Sequence, residues 1–287
     1  MVGRAEDADR LDRTDRLDRA LVARGLASSR TRAHQLIASG SVTVGGVVVR
    51  KAAAKVSAAQ RLAVTQHDPW VSRAAHKLLG ALETFEQIDP SGKRCLDAGA
   101  STGGFTQVLL SRRAGHVVAA DVGHGQLAPR LAEDPRVTNL EGVNLRHAAP
   151  GDLGDLFGLI VADLSFISLR LVVASLARQA HPGADLVLMV KPQFEIGRQR
   201  LGRTGVVSSP ALRREALEGV VDAVRQAGLT LQAAARSQLP GQDGNAEFFL
   251  WAQSPAVGRD RLEAGDRHQV GTGGADIDTI EFGDTTG

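Results

Sequence analysis

The chain has 287 residues, 43% of them hydrophobic, which leaves room for one large domain, a smaller one and a sizeable core. Its longest apolar runs, such as "DLVLMV" and "LVVASLA", fall far short of a bilayer-spanning segment, and the charged opening "MVGRAEDADRLDR" is not expected to act as a signal peptide. The single cysteine, Cys95, leaves no intrachain disulfide and no cysteine-built metal site and reads as a buried strand residue, so a cytoplasmic setting and no bound metal are expected.

Residues 1–15 ("MVGRAEDADRLDRTD") are polar and repetitive and read as a disordered, charged N-terminus. Residues 16–66 form a small module. "RLDRALVARGL" has helical spacing and stops at Gly25, and "SSRTRAHQLIASG" is a second short helix, capped by Ser28 or Ser29 and ended by Gly40. "SVTVGGVVV" alternates like a hairpin around Gly45-Gly46, and "RLAVTQ" adds a strand. Net charge over the chain is only +2, but this module holds nine Arg and Lys against one acid, Asp18, which marks a candidate polyanion-binding surface.

Residues 67–73 ("HDPWVSR") read as a linker, after which "AAHKLLGALETF" is a helix. Strands and helices then alternate. The strands are "RCLDAG", "HVVAADVG", "VTNLEGV", "GLIVADLSF" and "ADLVLMVKP"; the helices are "GFTQVLLSRR", "GQLAPRLAE", "SLRLVVASLARQA" and "ALRREALEGVVDAVRQAG". Two last strands, "LTLQAAARSQL" and "AEFFLWAQ", flank a turn at "GQDGN". This pattern predicts an α/β domain over 74–253: a mostly parallel sheet, helices on both faces, and one antiparallel strand at the close. Residues 254–287, rich in Gly, Asp and Thr, read as a disordered tail.

"LDAGASTGGF" stands at the end of the first strand of that domain, where α/β sheets bind ligands. No GK[ST] follows, so it is not a triphosphate loop, and its spacing of Gly99, Gly103 and Gly104 does not match G-x-G-x-x-G. Asp97 at the strand end would oppose a bound phosphate and suits a ligand with cationic groups. S-adenosyl-L-methionine, with its ammonium and sulfonium, is such a ligand. Asp121 ends the second strand, where a carboxylate can accept from both ribose hydroxyls. A lone Gly turn is often only a turn, and Asp121 by itself is equally a helix cap; the pairing carries the reading.

Of the 34 Lys and Arg residues only five are lysines, and Lys191 follows "ADLVLMV" at a strand end. Asp163 closes the preceding strand, Glu247 opens the last one, and Lys77 lies on the helix leading into the domain. These four read either as an ordinary salt-bridge cluster or as a site that deprotonates a hydroxyl beside a methyl donor. Lysine can serve there because its charge is tunable by its surroundings, whereas arginine stays protonated.

Taken in order, "SRAAHKL", "CLDAGASTGGFTQVLL", "VVAADVGHGQL", "VADLSFISL", "VKPQFEIG" and "GNAEFFLW" closely resemble the TlyA (hemolysin A) family of RNA 2′-O-methyltransferases, from about Arg16 to Ala252. The resemblance implies an S4 RNA-binding domain over 16–66 and an FtsJ-like, Rossmann-type methyltransferase domain with a seven-stranded sheet over 74–253. It implies a Lys-Asp-Lys-Glu tetrad at Lys77, Asp163, Lys191 and Glu247, and cytidine 2′-O-methylation in 16S or 23S ribosomal RNA. Where the family's linker carries a basic residue before Trp-Val, this chain has Asp68 and Pro69. Any coupling of RNA binding to cofactor affinity through the linker is then expected to differ.

On this reading Asp97, Gly99, Ala100, Ser101, Thr102, Gly103 and Asp121 hold the cofactor, with Asn144 at the adenine end or serving only as a turn residue. Phe166 reads as a core residue, with stacking on a base or the adenosine as the alternative. Arg16, Arg24, Arg30 and Arg32 grip RNA phosphates, which positions the RNA without reading its sequence. Few aromatics accompany them, so a folded RNA shape is the expected target. An RNA base N-methyltransferase is the nearest competing reading, although "DLSF" lacks the prolines of such sites. A membrane-active hemolysin is the more distant one.

Overall fold

The computed structural model describes residues 14–64, 68–256, 277 and 280–283, and divides between Pro69 and Trp70 into two units. In the first unit, β1 (Thr14–Arg16) runs into α1 (Leu17–Ala23), followed by α2 (Arg30–Ala38). The cap of α2 is Ser29, whose Oγ accepts from Arg32 N at 3.1 Å. β2 (Val42–Val44) and β3 (Val47–Val48) are joined by Gly45 and Gly46 at φ 58° and 87°. A two-residue hairpin turn of this hand needs positive φ at both positions, hence the Gly pair. β5 (Leu62–Val64) pairs with the other side of β2. Leu17, Leu21, Ala33, Leu36, Ile37 and Val42 close the core.

Thr14 and Asp15, grouped by composition with a disordered N-terminus, are in fact a strand. With Arg16 they pair antiparallel with β4 (Lys55–Ser57), Thr14 opposite Ser57 and Asp15 opposite Val56. Backbone pairing holds polar residues that have no apolar periodicity to announce them.

The second unit opens with α3 (Ala74–Thr84), β6 (Arg94–Ala98), α4 (Gly104–Ser111) and β7 (His116–Asp121). Then come α5 (Pro129–Ala132), β8 (Val137–Glu141), β9 (Phe157–Ala162), α6 (Val173–Gln179), β10 (Ala180–Val190) and α7 (Pro192–Glu195). It closes with α8 (Pro210–Gln226), β11 (Thr230–Arg236) and β12 (Phe248–Gln253). The seven strands lie in the order β11-β12-β10-β9-β6-β7-β8. β12 runs antiparallel to both its neighbours, and the pairs from β10 to β8 are all parallel.

Successive residues of the central strands feed opposite layers. Leu96, Ala98, Ile160, Leu186 and Leu188 pack with α6 and α8. Cys95, Leu159, Val161, Val187 and Met189 pack with α3 and α4. A strand covered on both faces needs apolar side chains at every position, which is why these segments read as unbroken apolar runs. Strand order reverses between β6 and β9, and that switch opens a crevice beyond their carboxyl ends.

Three expectations change. The predicted helix "SLRLVVASLARQA" breaks into a tight turn at Leu169–Leu171 and a helix from Val173, and "GQLAPRLAE" supplies only the single turn that Pro129 starts. The tail read as disordered contributes to the core where it is described: Ile277, Ile280 and Phe282 are buried against the β12 layer, and the Phe282 ring lies 5.4 Å from that of Phe248. Arg213 of α8, only 2% exposed, donates to Val207 O at 2.7 Å and to Phe282 O at 2.8 Å. Composition counts the Gly, Asp and Thr of this tail; burial depends on three apolar residues among them.

Candidate functional site

The ends of β6, β7 and β9 are tied together by backbone bonds. Gly99 N donates to Ala120 O at 2.8 Å, and Asp163 N donates to Ala98 O at 3.0 Å. Gly99 has φ 87°, and a Cβ there would stand 2.8 Å from Asp163 O, so the tight approach of the two strand ends requires glycine. Gly103, at φ 92°, turns the chain into α4 behind the crevice, where a Cβ would meet Leu127 and Leu131.

Two cavities open along this rim. The larger, about 530 Å³, is lined by Gly99, Ser101, Asp121, Val122, Asn144 and Phe166, among others. The smaller, about 200 Å³, reaches Ala100, Thr102 and Lys191, and shares Gly99, Ser101, Asp163 and Ser165 with the first. The Asp121 carboxylate accepts from Ser101 N at 2.9 Å and from Gly123 N at 2.7 Å, pinning the Gly turn. Each carboxylate oxygen still has a lone pair for a further donor. Asn144 Oδ1 accepts from Arg146 N at 3.1 Å at the edge of the larger cavity.

Asp97 does not join this lining. It is fully buried, and its Oδ2 accepts from Thr106 N at 2.7 Å and from Thr106 Oγ1 at 2.6 Å, fastening the first turns of α4 to β6. Burial pushes its carboxyl up to about 7 against the pull of the Thr106 bonds, and Asp163 and Asp121 add to the rise. Its Oδ1 has no hydrogen-bond partner among the described residues. The expected cofactor contact is therefore an internal brace. A residue second to last in its strand points into a layer, not out over the rim.

The four residues of the expected tetrad form two ion pairs. Lys191 Nζ lies 2.6 Å from Asp163 Oδ1 and donates to Ser165 Oγ at 2.8 Å, with Lys191 only 8% exposed. Lys77 Nζ of α3 lies 2.5 Å from Glu247 Oε2. The β10–β12 register pairs Val190 with Phe248, so Lys191 and Glu247 follow at one end of the same ladder. Gly241 packs over Glu247: a Cβ there would come within 2.7 Å of Oε1. Asn245 holds that turn to the 205–207 segment through Gly205 O and Val207 N.

Sequence reasoning did not single out Ser165, Val122, Gly241 or Glu195. Ser165 was legible only as part of "DLSF", and Gly241 only as a turn. Glu195 accepts from Ser168 Oγ at 2.5 Å and Leu169 N at 2.7 Å, and burial pushes its carboxyl up against those bonds. Phe166 corrects the core reading: it is 90% exposed, lines the larger cavity and sits at φ 65°. A bulky residue in the left-handed region is strained, a state that surrounding structure must hold and that gathers at functional sites.

In the first unit, Asp18 is fully buried and gathers cations. Arg16 Nε lies 3.0 Å from it, Arg30 Nη2 2.9 Å and His34 Nε2 3.0 Å. The Arg16 hydrogen bonds, aided by Arg30 and His34, hold its carboxyl well below the usual range. Arg24 instead donates to Gln60 O at 2.7 Å and Ser57 O at 2.9 Å, bracing the turn before β5. Arg32 stands on the first turns of α2, 3.4 Å from Gln35 Oε1. Among the described residues no group of three or more His, Cys, Asp or Glu side chains is placed to hold a metal ion.

Strand order, the reversed β12 and the rim of Gly turn and paired charges define a methyltransferase-type α/β domain joined to a small basic module. Comparison with known proteins agrees: residues 70–254 match the FtsJ-like methyltransferase model, and residues 15–62 match the S4 domain model. The chain belongs to the TlyA family of FtsJ-like methyltransferases. It is 50% identical over 244 residues to the 16S/23S rRNA (cytidine-2′-O)-methyltransferase TlyA of Mycobacterium tuberculosis, covering 84% of this chain and 91% of that one. It is 35% identical to Hemolysin A of Brachyspira hyodysenteriae, covering 82% of this chain and 98% of that one. A solved structure from Streptococcus thermophilus superposes with a TM-score of 0.67 at 33% identity, covering 84% of this chain and 89% of the other.

Proposed function

We propose that this protein methylates the 2′-hydroxyl of cytidine in ribosomal RNA, with S-adenosyl-L-methionine as the methyl donor. One observation carries the reading above all: Lys191 lines the smaller cavity, held there by Asp163 and Ser165, and those two residues also line the larger cavity, which at about 530 Å³ is large enough for the nucleoside of the donor. The residues present fit the donor. Gly99 leaves space that a side chain would fill, and Asp121 keeps acceptor capacity for a ribose diol, with Ser101, Ala100 and Thr102 beside them and Asn144 toward the adenine. Gly103 shapes the turn from behind.

When bound, the donor supplies an electrophilic methyl group on its sulfonium. The chain supplies the rest. A ribose hydroxyl is a weak nucleophile until its proton leaves, and Lys191 orients it and, if neutral, accepts that proton. Asp163 and Ser165 fix the Lys191 amine in place. Lys77 adds positive potential near the developing alkoxide, and Glu247 holds Lys77. Phe166, exposed at the cavity edge, offers a face for a base or the adenosine. Holding the two reactants in line accounts for much of the rate. Arg16 and Arg30, oriented by Asp18, face RNA phosphates together with Arg32, while Arg24 supports the module that carries them.

The test is transfer of tritium from labelled S-adenosyl-L-methionine to isolated small and large ribosomal subunits, with wild type and Lys191→Ala side by side. Loss of a general base of this kind typically costs about 10²–10⁴-fold. The variant is expected to lose transfer to that extent and to bind RNA as wild type does; full retained activity overturns the assignment. Digesting the product to nucleosides separates 2′-O-methylcytidine from a base-methylated product. Against a membrane-active role, no described helix is long and apolar enough to cross a membrane, and release of dye from liposomes tests that role directly.

A further inference from the structure

Five contacts run in step between the segment after β9 and the segment after β10. Lys191 reaches Asp163 and Ser165, the Phe194 ring lies 5.4 Å from that of Phe166, and Glu195 receives Ser168 Oγ and Leu169 N. Only the first two belong to the tetrad and its immediate partner. Lys191 stands at the N-terminal boundary of α7 and Glu195 at its last residue, so one short helix carries both ends of the fastening. Between them the 163–169 loop must keep Phe166 at φ 65° with its ring in solvent. Left unfastened, a bulky residue relaxes from that conformation. The Glu195 carboxylate is the fastening on the far side, and it uses both oxygens.

We propose that Glu195 is a positioning residue for the RNA substrate: it clamps the 163–169 loop so that Ser165, which lines both cavities, meets Lys191, and Phe166 projects from the rim of the donor cavity beside the smaller cavity, where the target nucleoside approaches Lys191. The assignment of a nucleoside to that cavity rests on the function proposed above; the clamp itself does not. Glu195 touches no reacting atom. It acts through the backbone of Leu169 and the hydroxyl of Ser168.

Two measurements on the full chain test it, using Glu195→Ala, Glu195→Gln and Ser168→Ala. The first is amide hydrogen exchange over residues 163–170. Loss of a charge-assisted hydrogen bond speeds local opening by about tenfold or more, so Glu195→Ala accelerates exchange there and leaves β6 and β7 unchanged. The second is steady-state methyl transfer. Glu195→Ala raises KM for ribosomal subunits by about tenfold and lowers kcat as well, because the loop presents the substrate through Phe166 and holds Lys191 through Ser165. Glu195→Gln keeps an acceptor for Leu169 N and a partner for Ser168 Oγ, and restores both readouts. Ser168→Ala, which removes one of the two bonds, shifts both in the same direction by less and serves where Glu195→Ala fails to fold. Unchanged loop exchange, an unchanged KM, or a Gln variant no better than Ala overturns the proposal. If wild type labels no RNA, the proposed function fails, and the exchange measurement still decides the clamp.

Discussion

Asp97 shows how one carboxylate at a strand end changes meaning with burial. Its folded-state pKa is raised to about 7 against an ordinary value of 3.8, so between those limits the folded protein holds a proton that the unfolded chain has released. Stability therefore falls as pH rises from about 4 to 7, at up to about 1.4 kcal/mol per pH unit for a single group. Asp97→Asn still accepts from both Thr106 donors and has no proton to lose. Its urea unfolding free energy should lack that part of the slope, and an unchanged slope would place the titration elsewhere. The acid beside the Gly turn was legible in the sequence; its direction was not, because position along a strand does not say which layer covers the side chain. Phe166 makes the converse point. An apolar residue next to a strand end reads as core, and only the turn of the chain at φ 65° places it in solvent.

At the scale of elements, the Gly turn and the first unit make separate demands. Gly99→Ala places a methyl 2.8 Å from Asp163 O in a left-handed conformation. The conformation alone costs about 1–2 kcal/mol, and the clash pushes the ends of β6 and β9 apart. Calorimetric titration with S-adenosyl-L-methionine should show affinity lowered by about tenfold or more. In the basic module, Arg24 and Arg30 look alike in sequence and differ in structure. Arg24 spends its donors on the carbonyls of Ser57 and Gln60, whereas Arg30 is 57% exposed and held by Asp18. Arg24→Ala should lower the melting temperature of the first unit, while Arg30→Ala should leave it folded. Arg30→Ala should reduce the salt dependence of RNA binding by about one counterion. Equal effects of the two variants on both readouts would refute this division. Helices, strands and the hairpin were legible here because caps, Gly turns and periodicity are local signals. The pairing of β1 with β4 was not, since it joins segments about forty residues apart.

At the scale of the whole molecule, the C-terminal segment counts as part of the methyltransferase unit. Ile277, Ile280 and Phe282 are buried, and Arg213 is buried with its guanidinium on Phe282 O. Removing residues 277–287 strips apolar cover from Phe248 and leaves that cation one carbonyl short. The loss should be about 3 kcal/mol, the burial of three large side chains offset by the entropy of ordering the segment. Denaturant unfolding of the truncated chain checks it, and an unchanged midpoint would show the segment to be dispensable. By itself the sequence determined the two-module plan, the alternation of strands and helices and the identity of the four paired charges, because helix caps, Gly and Pro punctuation and apolar period act within a few residues. Tertiary structure alone decided which side chains face the cavity. It turned Asp97 inward and Phe166 outward, brought Ser165 to Lys191 and Glu195 to the 163–169 loop, and folded the tail onto Phe248. Burial and contact are properties of segments distant in the chain that pack together, and no local pattern encodes them.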